Sequence, residues 1–159
     1  MNPLFPLSKE WIVLAGNPNT GKTAIFNLLT GLHQKVSNYP GITVERKFGT
    51  MNLSDEKSVQ ILDLPGSYSL TPESFDEHVV SDEIFSWIYG KEKPSLILSV
   101  IDVENLSRNL YLTSQLLDFG IPVIIVLNMM DRIQEGTLPV QLEQLKERLG
   151  VADVIPVSA

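Results

Sequence analysis

The stretch Gly16-Asn17-Pro18-Asn19-Thr20-Gly21-Lys22-Thr23 follows directly on an apolar run, Trp11-Ile12-Val13-Leu14-Ala15, and leads directly into a helical pattern, Ala24-Ile25-Phe26-Asn27-Leu28-Leu29. It matches G-x-x-x-x-G-K-[ST], and its setting commits the start of the chain to a strand, a loop and a helix in that order. Glycines let successive backbone N–H groups turn inward, and the helix behind them presents its positive end to the same point. Such a loop is an anion cradle. Its candidate phosphate-binding residues are Gly16, Asn17, Asn19, Thr20, Gly21, Lys22 and Thr23, with Ala24 at the helix start. Lys22 is expected to reach the β and γ phosphates of a nucleotide, and the Thr23 hydroxyl to coordinate Mg²⁺.

The rest of the chain alternates β-rich runs with longer amphipathic ones. Strands are expected at Trp11–Ala15, Arg46–Leu53, Ser58–Leu64, Leu96–Asp102, Val123–Asn128 and Val154–Val157, and helices at Lys22–Thr30, Asp76–Tyr89, Leu106–Phe119 and Pro139–Leu149. Gly31, Gly90, Gly120 and Gly150 stand where left-handed C-terminal caps are expected. The runs Leu96–Ile101 and Val123–Leu127 are almost continuously apolar, as in parallel strands covered on both faces. Arg46–Leu53 and Ser58–Leu64, joined by Ser54-Asp55-Glu56-Lys57, read as one antiparallel hairpin. The expected fold is therefore α/β: a mostly parallel six-stranded sheet with one antiparallel hairpin and helices on both faces. Because the pattern stops at Ala159 directly after its last strand, the chain reads as one domain, 1–159, cut at a domain boundary from a longer protein.

Composition narrows the partners. A chain of 159 residues with 43% hydrophobic content holds one core without staples, and without cysteine it has no disulfide or thiolate metal site. A net charge of −7 argues against nucleic acid as a partner. No apolar run approaches the ~20 residues that span a bilayer, and residues 1–9 lack the pattern of a secretory signal.

Three later stretches select the nucleotide. In Asp63-Leu64-Pro65-Gly66 a carboxylate closes a strand, placed to hold the Mg²⁺ shell, and Gly66 offers an N–H to the γ-phosphate. In Asn128-Met129-Met130-Asp131 the Asp131 carboxylate can accept from both N–H donors on the edge of guanine, a pattern adenine lacks. Asp131 therefore argues for GTP and GDP over ATP, while Asn128 is expected to brace the phosphate loop against the base loop. Ser158-Ala159 stands where a backbone N–H would touch the guanine oxygen. Thr43, between the first helix and the second expected strand, is the candidate to close over Mg²⁺ and the γ-phosphate; Thr50 is poorer because it falls within a strand.

Taken together, Gly16–Thr23, the run Tyr39-Pro40-Gly41-Ile42-Thr43-Val44-Glu45-Arg46-Lys47, Asp63-Leu64-Pro65-Gly66-Ser67-Tyr68-Ser69-Leu70 and Asn128-Met129-Met130-Asp131 resemble the N-terminal G domain of the bacterial ferrous-iron transporter FeoB. The resemblance implies a Ras-like P-loop GTPase fold and a switch, residues 1–159 being the G domain, attached to helical and transmembrane domains of the same full-length chain, at the cytoplasmic face of the bacterial inner membrane. Any homo-oligomer would assemble through that full-length protein. Met129 stands where most GTP-binding proteins carry lysine, so modest nucleotide affinity and easy GDP release are expected. Ser67 replaces the glutamine that orients water in Ras-like switches, which implies slow unaided hydrolysis. The resemblance also implies compensation: Asn19 matches the asparagine that binds K⁺ beside the phosphates in potassium-activated GTPases, with backbone carbonyls at Ser37 and Tyr39 as further ligands. The catalytic set is then Lys22, Thr43, Asn19 and Gly66. His33 and His78 read as solvated side chains. Two alternatives stay open on the sequence: a soluble K⁺-dependent GTPase of ribosome assembly or tRNA modification, and a module that senses GTP or GDP with negligible turnover.

Overall fold

The structure is a computed structural model that describes residues 10–39, 44–54, 56–90, 93–133 and 140–159. The strands are β1 (Trp11–Gly16), β2 (Gln34–Asn38), β3 (Glu45–Ser54), β4 (Lys57–Asp63), β5 (Leu96–Asp102), β6 (Val123–Asn128) and β7 (Asp153–Pro156). The helices are α1 (Lys22–Thr30), α2 (Phe75–Tyr89), α3 (Leu106–Leu117) and α4 (Leu142–Leu149), with 3₁₀ turns at Val103–Asn105 and Met130–Arg132.

One sheet runs in the order β2-β3-β4-β1-β5-β6-β7. From β4 onward every pairing is parallel. The expected hairpin is β3–β4, antiparallel through Lys47↔Asp63 to Met51↔Val59. A seventh strand, β2, extends the sheet beyond the six read from the sequence and pairs antiparallel with β3. Its residues, Gln-Lys-Val-Ser-Asn, carry no apolar alternation, because an edge strand with both faces toward solvent has nothing to bury.

The two faces carry separate cores. On one, α2, α3 and α4 pack through Ile84, Leu112, Leu116 and Leu145 onto Val13, Leu62, Ile97 and Ile125. Trp11 and Trp87 meet there edge to face at 5.7 Å. On the other, Ile25 and Phe26 of α1 pack onto Ile12, Leu14, Ile61 and Val100. The helices start and stop for local reasons. Ser74 and Glu77 form a capping box ahead of α2, which fixes its start one residue before the expected Asp76. Gly31 and Gly150 are left-handed caps as expected, whereas Gly90 is extended and is not one. The expected helix Pro139–Leu149 is described only from residue 140, and its helical part begins at Leu142. The parallel strands β1, β5 and β6 all end on the same edge, which is where ligands bind in sheets of this type.

Candidate nucleotide-binding site

The loop between β1 and α1 is held by its own polar atoms. The Thr20 hydroxyl donates to the Asn17 carbonyl at 2.9 Å, and Gly21 adopts a left-handed φ of 81° ahead of the helix. A Cβ at Gly21 would collide with the Asn128 amide, so glycine is required twice, for conformation and for space. Asn19 is also left-handed, at φ 64°, and its side chain is exposed.

Asn128 performs the expected bracing. It ends β6 with no exposed surface, donates from Nδ2 to the Thr20 carbonyl at 3.0 Å, and accepts at Oδ1 the Ala159 N–H at 3.0 Å. The Met130 N–H donates to the Val157 carbonyl at 3.2 Å. Three stretches that lie up to 139 positions apart in the numbering thus converge on one amide. Met129 takes a left-handed φ of 64° while its side chain packs against the larger core. Asp131, in the 3₁₀ turn, is exposed.

On the phosphate side, the Lys22 ammonium forms a buried ion pair with Asp63 Oδ1. Burial pushes the Asp63 carboxyl above its usual range, opposed first by Lys22 and then by Lys47. Thr23 and Ala24 face outward at the helix start. Lys22, Thr23, Asp63 and Gly66 line one cavity of about 420 Å³. The loop behind Gly66 is tied to the cradle, since the Ser67 N–H donates to the Gly16 carbonyl at 3.2 Å, and a Cβ at Gly66 would stand 3.1 Å from the Pro18 backbone.

A family model described as "Ferrous iron transport protein B" matches residues 10–159. The chain is 44% identical over 155 residues to the Fe(2+) transporters FeoB of Shigella flexneri and Escherichia coli (strain K12). It belongs to the FeoB family. The chain covers 19% of the length of those curated relatives, and the aligned part is 95% of its own. Among solved structures, a GDP-bound mutant of S. thermophilus NFeoB superposes with a TM-score of 0.82 at 44% identity, covering 94% of this chain and 56% of that one. The cytosolic domain of L. pneumophila FeoB gives 0.80 at 42% identity, covering 92% and 62%, and the G domain of T. maritima FeoB 0.78 at 34%, covering 94% and 87%. The fold is therefore the Ras-like G-domain fold of FeoB.

Not every expected residue is brought to this FeoB site. Thr43 lies outside the described residues. Thr50 lies in β3 opposite Gln60 and lines a different groove, with His33. Ser37 and Tyr39 sit at the β2 side: Ser37 pairs with Arg46 in the ladder, and the Tyr39 N–H donates to the Val44 carbonyl at 3.0 Å. Among the described residues no hydrogen bond joins either to Asn19. Asn19 lines a small cavity of about 150 Å³ beside the start of α3, with Asp102, Asn105 and Asn109.

Several residues that the motifs do not mark also shape the site. The Glu77 carboxylate accepts from the backbone N–H groups of Tyr68 at 3.1 Å, Glu73 at 2.9 Å and Ser74 at 3.3 Å. Those donors hold its pKa below the usual carboxylate range, led by Glu73. One side chain thereby clasps both ends of the loop that follows Gly66. Arg46 reaches from β3 to Glu83 of α2 at 2.7 Å and lies 5.4 Å from the Tyr39 ring centre, linking the chain on either side of residues 40–43 to the helix behind the second loop. Burial raises Glu83, against the pull of Arg46. The capping-box spacing Ser74…Glu77 is a sequence signal that could have found the first of these contacts.

Proposed function

We propose that this chain is a GTP-binding, slowly GTP-hydrolysing switch that regulates Fe²⁺ uptake by a membrane transporter to which it is joined, and that K⁺ stimulates its turnover. The observation that carries the reading is the Asn128 amide, which ties the phosphate loop at Thr20 to the segment after β7 at Ala159. The GDP-bound FeoB relatives support guanine nucleotide as the ligand, with Asp131 reading the base and the Ser158-Ala159 backbone beside it.

The donor set fits Mg²⁺. Asp63 is a buried carboxylate whose present partner is a side-chain ammonium, and the Thr23 hydroxyl lines the same cavity, so the oxygens are of the hard type that Mg²⁺ prefers. When bound, Mg²⁺ neutralises charge on the β and γ phosphates. Lys22 leaves Asp63 to bind phosphate, Gly66 offers its N–H to the terminal group, and Thr43 closes over it. Asn19 and the carbonyls of Ser37 and Tyr39 are neutral oxygen donors, which suits a monovalent cation such as K⁺.

Ser67 supports slow turnover. It is 1% exposed and its hydroxyl is engaged with the Ser69 carbonyl at 2.6 Å, so it does not point at a water beside the phosphates. That observation also favours a second reading, a nucleotide-sensing module without useful turnover.

Steady-state GTP hydrolysis in K⁺ and in Na⁺ at equal ionic strength, with Asn19→Ala alongside, separates the two. A K⁺ stimulation lost in the variant is the expected result; equal, negligible turnover with GTP still bound would leave the sensing module. Iron regulation is tested separately, by Fe²⁺ uptake in cells carrying the full-length protein with Lys22→Ala. Among the described residues no helix is long and apolar enough to cross a membrane, so any transport path belongs to other segments.

A further inference from the structure

We propose that Lys47 is a second lysine of the phosphate cavity, one that contacts the terminal phosphate and so separates triphosphate from diphosphate. The inference deepens the nucleotide-switch reading and rests on it.

Lys47 stands directly opposite Asp63 in the β3–β4 ladder, and directly opposed residues project from the same face of a sheet. Two residues further along, Gly49 stands opposite Ile61 on that face, and a Cβ at Gly49 would stand 3.0 Å from the Phe26 ring of α1. The face is therefore the one that α1 covers. Moving back along β3 from Gly49 to Lys47 and Glu45 runs toward the N-terminus of α1, where Lys22 and Thr23 stand. The Lys47 side chain accordingly lines the cavity that holds Lys22, Thr23, Asp63 and Gly66.

Two further observations give that position a use. The present partner of Lys47 is Glu45, its neighbour on the same strand, at 3.3 Å, with the glutamate side chain 59% exposed. An ion pair that open to water contributes little, so Lys47 is free to change partner. Lys22 is engaged with Asp63, and the two lysines share the cavity with the carboxylates of Asp63, Glu45 and Asp76. A polyphosphate entering such a mixed site draws the ammonium groups to itself and leaves carboxylate for a divalent cation. Lys22, at the helix start, is expected at the β-phosphate, which GDP and GTP share, as well as at the γ-phosphate. Lys47 approaches from β3 and lines the same cavity as Gly66, whose N–H is the expected donor to the terminal phosphate.

The test is binding of a fluorescent non-hydrolysable GTP analogue and of fluorescent GDP, both with Mg²⁺, to wild type, Lys47→Ala, Lys47→Gln and Lys47→Arg. Removing the charge is expected to weaken the triphosphate analogue by about tenfold, the scale of one charge-assisted hydrogen bond, and to leave GDP within about twofold. Lys47→Arg, which keeps the charge, is expected to remain within about threefold of wild type for both. Lys47→Gln keeps most of the stem, so it serves if alanine disturbs the strand. Equal losses for both nucleotides, or no loss for the analogue, would overturn the role of Lys47 alone. Failure of wild type to bind either nucleotide would overturn it together with the nucleotide-switch reading.

Discussion

Replacing Asn128 by alanine removes two hydrogen bonds at once, and their surroundings differ. The Thr20 carbonyl that receives Nδ2 belongs to a residue 2% exposed, so truncation strands an acceptor away from water. An unsatisfied buried group costs about 1–3 kcal/mol. Ala159 is exposed, so its N–H finds water again and the loss there is roughly 0.5–1 kcal/mol. The cavity left by a side chain with no exposed surface adds to the first figure, and the expected destabilisation is about 2–4 kcal/mol. Urea unfolding followed by circular dichroism reads it directly: with m near 2 kcal/mol/M the midpoint should fall by roughly 1–2 M. Asn128→Asp sharpens the reasoning. It keeps an oxygen for Ala159 but sets a carboxylate oxygen against the Thr20 carbonyl, so it should destabilise at least as much as alanine. A midpoint shift below about 0.25 M for Asn128→Ala, or an aspartate variant as stable as wild type, would refute the bracing role and remove the main support for the switch reading.

Two other outcomes are expected from the geometry. Gly21→Ala must hold a left-handed residue and meet the Asn128 amide, so it should cost at least ~1–2 kcal/mol and abolish fluorescent-GDP binding. The depressed pKa of Glu77 places a pH signature on the second loop: the unfolded group titrates near 4.5 and the folded one below it, so the stabilisation is complete above that range and is lost as pH falls through the folded pKa. Amide exchange at Tyr68, Glu73 and Ser74 should accelerate selectively, beyond the intrinsic pH trend, below about pH 4.5, and Glu77→Gln should show much of that acceleration already at pH 7.

Local chemistry decided a large part of this protein. The cradle Gly16–Thr23 needs only a strand before it and a helix after it, and both are written in neighbouring residues. The apolar runs of β5 and β6 announce parallel strands because burial on both faces demands it. The pairing of Asn128 with the phosphate loop was legible from the motif, and the structure supplies its two partners. Other features depend on which strand lies beside which. β2 exists because β3 offers it an edge, not because Gln34–Asn38 has anything to bury. Lys47 reaches the cavity of Lys22 and Asp63 only because the β3–β4 register sets it opposite Asp63, and a shift of one residue would turn it to the other face. Glu77 and Arg46 act on the loops through contacts that span 9 and 37 positions in sequence, set by how α2 lies on the sheet. The cradle, its lysine and the Asp131 carboxylate proposed to read the base are sequence properties, because each is placed by residues next to it in the chain. The bracing contacts, the edge strand and the second lysine are properties of the packed sheet, where register brings distant charges onto one face.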